Sequence, residues 1–149
     1  MNFNIYGIPA AASAIIIFFI IIFIVRYRRK NVGAWQVTLL LISFFIWSFS
    51  YSMVLFNWSL QAKVLWFNIA QIGPDFAPII FFYLALEYSG YGDLLHKKAI
   101  YLASIFPLFT TLLMWTNDFH HLLRKSIRLN PIAGNVSNLS IERGPWFFC

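Results

Sequence analysis

The stretch Ile8-Pro-Ala-Ala-Ala-Ser-Ala-Ile-Ile-Ile-Phe-Phe-Ile-Ile-Ile-Phe-Ile-Val25, followed at once by Arg26-Tyr-Arg-Arg-Lys30, decides the fold of this chain. A helix rising about 1.5 Å per residue needs roughly 20 apolar residues to cross about 30 Å of hydrocarbon. The run comes within a turn of that length, carries no charge, and is closed by cations. Three more apolar runs follow, at Val37–Phe56, Val64–Tyr88 and Ala99–Trp115, separated by short polar joints. Water offers no reason to keep four such stretches, whereas lipid does. The expected fold class is all-α: an integral membrane helical bundle of four transmembrane helices, a multi-pass protein of the cell membrane.

Composition agrees. Of the 149 residues 60% are hydrophobic and 11% charged, and mean hydropathy is +0.72. Soluble domains sit near half apolar and a quarter charged. A chain of this length holds one membrane unit, here 1–149. A separate kinase, cyclase or nucleotide-binding domain would need on the order of 100 more residues. No catalysis is therefore expected of this chain by itself. The net charge of +6 does not point to nucleic acid, because the cations flank the apolar runs instead of lining one soluble face. The only cysteine, Cys149, excludes an internal disulfide and a cysteine metal site. A cleavable signal peptide is not expected either, since Met1–Gly7 has no positive charge and the cations follow the apolar run.

Charge placement predicts orientation. The joints Arg26–Lys30 and Tyr88–Lys98 together hold six Lys/Arg. The other joint supplies Lys63, and the part of the tail within reach of the membrane supplies Arg124, Lys125 and Arg128. Counting positives then puts the N-terminus outside, the two basic joints in the cytoplasm, and 116–149 in an extracytoplasmic segment. Trp35, Trp58, Trp66, Tyr101 and Trp115 fall near run ends, at the level where amphipathic rings anchor helices. In the second run Ser48 and Ser52 lie one turn apart, a spacing that suits close helix packing with hydrogen bonds between helices.

Asp75 is the most pointed residue. It lies near the middle of the third run, in Ile72-Gly-Pro-Asp-Phe-Ala-Pro78. An acid facing lipid there costs about 2.5–3.5 kcal/mol, so it is expected to face the bundle or a water-filled cavity. Pro74 and Pro78 each remove a backbone donor and bend a helix. Asp75, Pro74 and Pro78 are therefore a candidate sensing or hinge site. The other reading is an acid simply hydrogen-bonded to a Ser or Tyr of the second helix. A small oligomeric transporter or channel, with Asp75 lining the path, is the alternative function. Asp118-Phe-His120-His121 invites a zinc reading, but adjacent histidines diverge on any regular backbone and no third ligand has suitable spacing. No metal and no cofactor is expected.

The tail reads Thr116-Asn-Asp-Phe-His-His-Leu122, and later Glu142-Arg-Gly-Pro-Trp-Phe147. Earlier landmarks are Trp47 with Tyr51, Ala62-Lys63-x-x-Trp66, Gly73 with Pro78, and Leu86-Glu87-Tyr88-Ser89-Gly90. In order and spacing these resemble the N-terminal seven-transmembrane region of bacterial and archaeal histidine kinases, also found ahead of diguanylate cyclases. His120, His121, Gly144, Pro145 and Trp146 occupy the family's extracytoplasmic motif positions. The resemblance spans about residues 10–148. It implies a non-catalytic sensory module in a two-component signal-transduction receptor. The bilayer and a cytoplasmic output domain would be its partners, with a homodimer as a candidate assembly. The family has seven spans and this chain reaches Cys149 where the fifth would begin. The expectation is thus the first four helices of a longer receptor, or a truncated reading frame. Asp75 falls where the family pattern is usually apolar, so its role would be particular to this chain.

Overall fold

Three apolar helices dominate the computed structural model, which describes residues 5–28, 30–57, 59–90, 97–133 and 136–144. Helix α1 (Ile8–Phe23) is preceded by a 3-10 turn at Ile5–Gly7 and continues into a π-helical turn at Ile24–Arg28. Pro9 sits in its first turn, where a missing N–H costs nothing. The continuous Ile5–Arg28 rod is 24 residues, about 36 Å at the helical rise. Ala14 is its buried residue, and Ile15, Ile16, Phe18, Phe19, Ile22 and Phe23 are exposed. Such a surface suits hydrocarbon.

Helices α2 (Ala34–Phe56) and α3 (Leu60–Tyr88) are also long and apolar enough to cross a membrane. The fourth run forms α4 (Lys97–Trp115), 19 residues or about 28 Å, whose apolar part Ile100–Trp115 is shorter than the other three. Each helix packs chiefly on its neighbour in the chain, most extensively α2 on α3. The reason is small residues. Ala70, Gly73 and Ala77 of α3 are buried, as are Ser43 and Ser50 of α2. A Cβ added to Gly73 would run into the Ser43 carbonyl oxygen, so the two backbones touch there.

The serines act differently from the expectation. Ser52 Oγ donates to the Phe49 carbonyl at 2.7 Å and Ser43 Oγ to the Leu39 carbonyl at 3.1 Å. Their hydroxyls are satisfied within α2, and what they contribute is small size, Ser43 toward α3 and Ser52 toward α1. Gly73, Pro74 and Pro78 do not interrupt α3, which runs as one helix through all three.

The joint between α1 and α2 is clamped to the end of α3. Gly33 has φ +75°, and a Cβ there would lie 2.6 Å from the Tyr88 ring. Tyr88 Oη donates to the Val32 carbonyl at 3.3 Å. Gly90 shares the left-handed conformation at φ +76° but faces open space. Gly90→Ala is therefore expected to cost about 1 kcal/mol from backbone strain, and Gly33→Ala about 2 kcal/mol, because the ring must also move. Thermal unfolding of the two variants in detergent checks the ranking, and equal costs would remove the clamp.

Beyond α4 come a single turn, α5 (Asn117–His120), and an antiparallel pair, β1 (Arg124–Ala133) with β2 (Val136–Arg143). Ile127 pairs with Ile141 and Leu129 with Leu139, with irregular register between Arg124 and Ser126 and between Pro131 and Ala133. The membrane portion is helical as expected. This hairpin is an addition that the sequence reading left without secondary structure.

Candidate functional site

Two places gather the residues singled out from sequence. The first is Asp75, half-buried on α3. Thr111 of α4 donates through Oγ1 to Asp75 Oδ2 at 3.3 Å. The neighbouring Thr110 returns its hydroxyl to the Phe106 carbonyl at 3.1 Å. The acid's observed partner is thus a threonine of the fourth helix and not a Ser or Tyr of the second. Pro74 is half-buried beside it, and Pro78 is exposed.

Sequence reading missed Asn68, two turns before Asp75 on the same helical face. It is buried, and its Oδ1 has no partner among the described residues. The signal was available: Asn68, Gln71 and Asp75 recur at helical spacing within an apolar run. Thr111→Val removes the hydroxyl that donates to Asp75 and is expected to cost about 1 kcal/mol, typical of a hydrogen bond between membrane helices. Asp75→Asn keeps an acceptor and should cost less. A double-mutant cycle by thermal unfolding tests this, and strict additivity of the two changes would remove the contact.

The second place is the junction of α4 with the hairpin, built on Asn117. That side chain is 3% exposed. Its Oδ1 accepts from the Leu123 and Arg124 amides at 3.0 and 2.9 Å, and its Nδ2 donates to the Arg124 carbonyl at 3.0 Å. One amide thereby does the work of a strand partner for a chain entering β1. Arg124 is buried as well. Its Nη2 donates to the Met114 carbonyl at 3.3 Å, and its guanidinium lies 5.8 Å from the centre of the Phe67 ring of α3. Lys63, one turn before Phe67, is buried at the same end of α3.

The motif histidines complete this cap. The Leu122 amide donates to His120 Nδ1 at 3.1 Å, so that nitrogen carries no proton and Nε2 does. Nε2 then donates to Thr116 Oγ1 at 3.1 Å, and Thr116 Oγ1 donates to the Leu112 carbonyl at 2.8 Å. Both ring nitrogens are engaged in structure. His121 takes φ +51° and turns the chain, its amide bonding to the Asn117 carbonyl at 2.8 Å. His120 thus acts through its ring and His121 through its backbone. Gly144 donates to the Leu123 carbonyl at 2.8 Å, and any side chain there would strike the Leu122 and His121 carbonyl oxygens. Gly144 is glycine because two backbones meet. Pro145, Trp146 and the side chain of Asp118 lie outside the described residues, as does Trp58. Among the described residues no three His, Cys, Asp or Glu side chains gather as metal ligands.

Asn117 and Arg124 were also missed as site residues, although both stand in the conspicuous Thr116–Arg128 stretch. An Asn next to the end of an apolar run, a few residues before two histidines, was the sign. Among the described residues this arrangement is a set of structural hydrogen bonds. What it can do is hold a hairpin rigidly to one helix and that helix to another.

The model of the family described as the N-terminal 7TM region of histidine kinase matches residues 9–149 of the chain. No curated protein and no solved structure matches it.

Proposed function

We propose, from the premise that the chain belongs to the family of the N-terminal 7TM region of histidine kinase, that it receives a stimulus at its hairpin end and passes it on by helix movement. The family makes it a membrane sensory input module of a histidine kinase receptor. In our reading all four helices span the membrane. The short α4 is accommodated by local thinning of the bilayer, and the basic joints lie in the cytoplasm. The output domain follows on the cytoplasmic side, as a kinase or, as in the resembling receptors, a diguanylate cyclase.

One observation carries this reading. Asn117 ties the hairpin to α4, and Thr111 ties α4 to Asp75 of α3. A stimulus that binds one arrangement of the hairpin more tightly than another would shift α4 by that difference in affinity, and with it the face of α3 that holds Asn68 and Asp75. Reading the coding sequence past codon 149 and expressing the whole frame tests the assignment. Three further apolar spans and a soluble output domain are expected in one frame, with output altered by Asn117→Ala. A frame that closes with no such continuation would overturn it.

A further inference from the structure

A groove of about 450 Å³ runs between α2, α3 and α4, within the roughly 300–1,000 Å³ typical of ligand sites. Leu39, Phe76, Ile79, Ile80 and Ile100 make its walls. Ser104 also lines it, but its hydroxyl is turned back to the Ile100 carbonyl at 2.8 Å and offers the groove little polarity. Such a lining suits a hydrocarbon chain. Large aromatics mark one end of the groove: Trp35 in the first turn of α2, Tyr101 in the second turn of α4, and Tyr83 near the end of α3. Trp35 is 67% exposed and Tyr101 72% exposed, as rings at headgroup level are.

Cations gather at that same end. Lys97 and Lys98 open α4, one turn before Tyr101. Arg26, Arg28 and Lys30 are exposed in the joint before α2. The Tyr88 bond to Val32 holds this joint to the end of α3, about one turn from Tyr83. Basic pockets between membrane helices take anionic lipid headgroups. We infer that this groove seats an acyl chain of an anionic phospholipid, its phosphate held by the cations at the mouth.

The molecule carries its own control. A second apolar groove of about 420 Å³ lies between α1 and α2, lined by Ala11, Phe18, Phe45, Phe49 and Met53. It opens toward the start of α1, where residues 1–25 contain no Lys or Arg. Its walls are apolar, and α1 brings no cation to it.

The inference rests on the membrane-spanning reading above. The test is native mass spectrometry of the full chain in mild detergent, titrated with phosphatidylglycerol and phosphatidylcholine of identical acyl chains. Wild type retains phosphatidylglycerol with a preference of about tenfold or more, as two or more headgroup cations would give. Lys97→Gln with Lys98→Gln erases the preference. Ser104→Phe, which fills the groove, erases retention while helicity by circular dichroism stays unchanged. Ala11→Phe in the control groove leaves retention as in wild type. Equal retention of the two lipids overturns the inference, and so does phosphatidylglycerol held equally well by Ser104→Phe. Failure of the membrane reading would look different, as chain recovered in soluble form without detergent.

Discussion

Replacement of Asn117 by alanine is expected to release the hairpin from α4 at a cost of about 3 kcal/mol. Three hydrogen bonds go at once, and two amides and one carbonyl lose their partner in a buried place. Each buried group left unsatisfied costs about 1–3 kcal/mol, partly recovered if water enters. Asn117→Asp keeps the oxygen that receives the Leu123 and Arg124 amides but loses the donor to the Arg124 carbonyl, so its cost should be about half. Hydrogen exchange reads the outcome directly. The Leu123 and Arg124 amides should lose protection in the alanine variant and keep part of it in the aspartate variant. Unchanged protection would mean that the hairpin is held elsewhere.

A hairpin of two strands is marginal alone. Loss of the bracket should therefore loosen the whole β1–β2 pair and not just its first residues. If the hairpin receives the stimulus, the same substitution uncouples reception from α4 while leaving the helices inserted.

For Gly73→Ala the expected sign is the informative part. In an exposed helix interior this change stabilises by about 1 kcal/mol, because alanine is the better helix former. Here the new Cβ would run into the Ser43 carbonyl oxygen and approach Trp47 Cβ at 3.2 Å. A carbonyl in the backbone of α2 cannot rotate away, so the helices must separate. Loss of their contact should cost about 3 kcal/mol, at the upper end of overpacking penalties. Thermal unfolding in detergent decides between the signs. A variant more stable than wild type would show that α2 and α3 do not meet at this point. Gly73→Leu should be worse still, since a larger side chain forces the same backbones further apart.

How far the sequence could be read follows from the kind of signal each feature leaves. The helices of α1, α2 and α3 were legible because hydrocarbon imposes a length and a polarity on each segment separately, without reference to any other segment. The hairpin was not legible. Its strands mix Arg, Ser, Asn and Leu without a clean alternation, and its first amides are paired by the Asn117 side chain and not by a partner strand. Gly144 and His120 were visible as motif letters, but their jobs depend on a carbonyl and an amide brought to them by the turn at His121. For Asp75 the expected neighbour was a Ser or Tyr of α2 and the observed one is Thr111 of α4, since helical spacing says which residues share a face and not which helix covers it.

Composition and the runs of apolar residues by themselves determined that this chain belongs in a membrane, as helices, because desolvating a backbone is a local requirement that every segment must meet alone. Tertiary structure alone decided that Ser43 lies against Gly73, that Thr111 reaches Asp75, and that Asn117 binds β1. Those contacts depend on shape fitting between segments distant in sequence, and small residues permit many such fits while packing realises one.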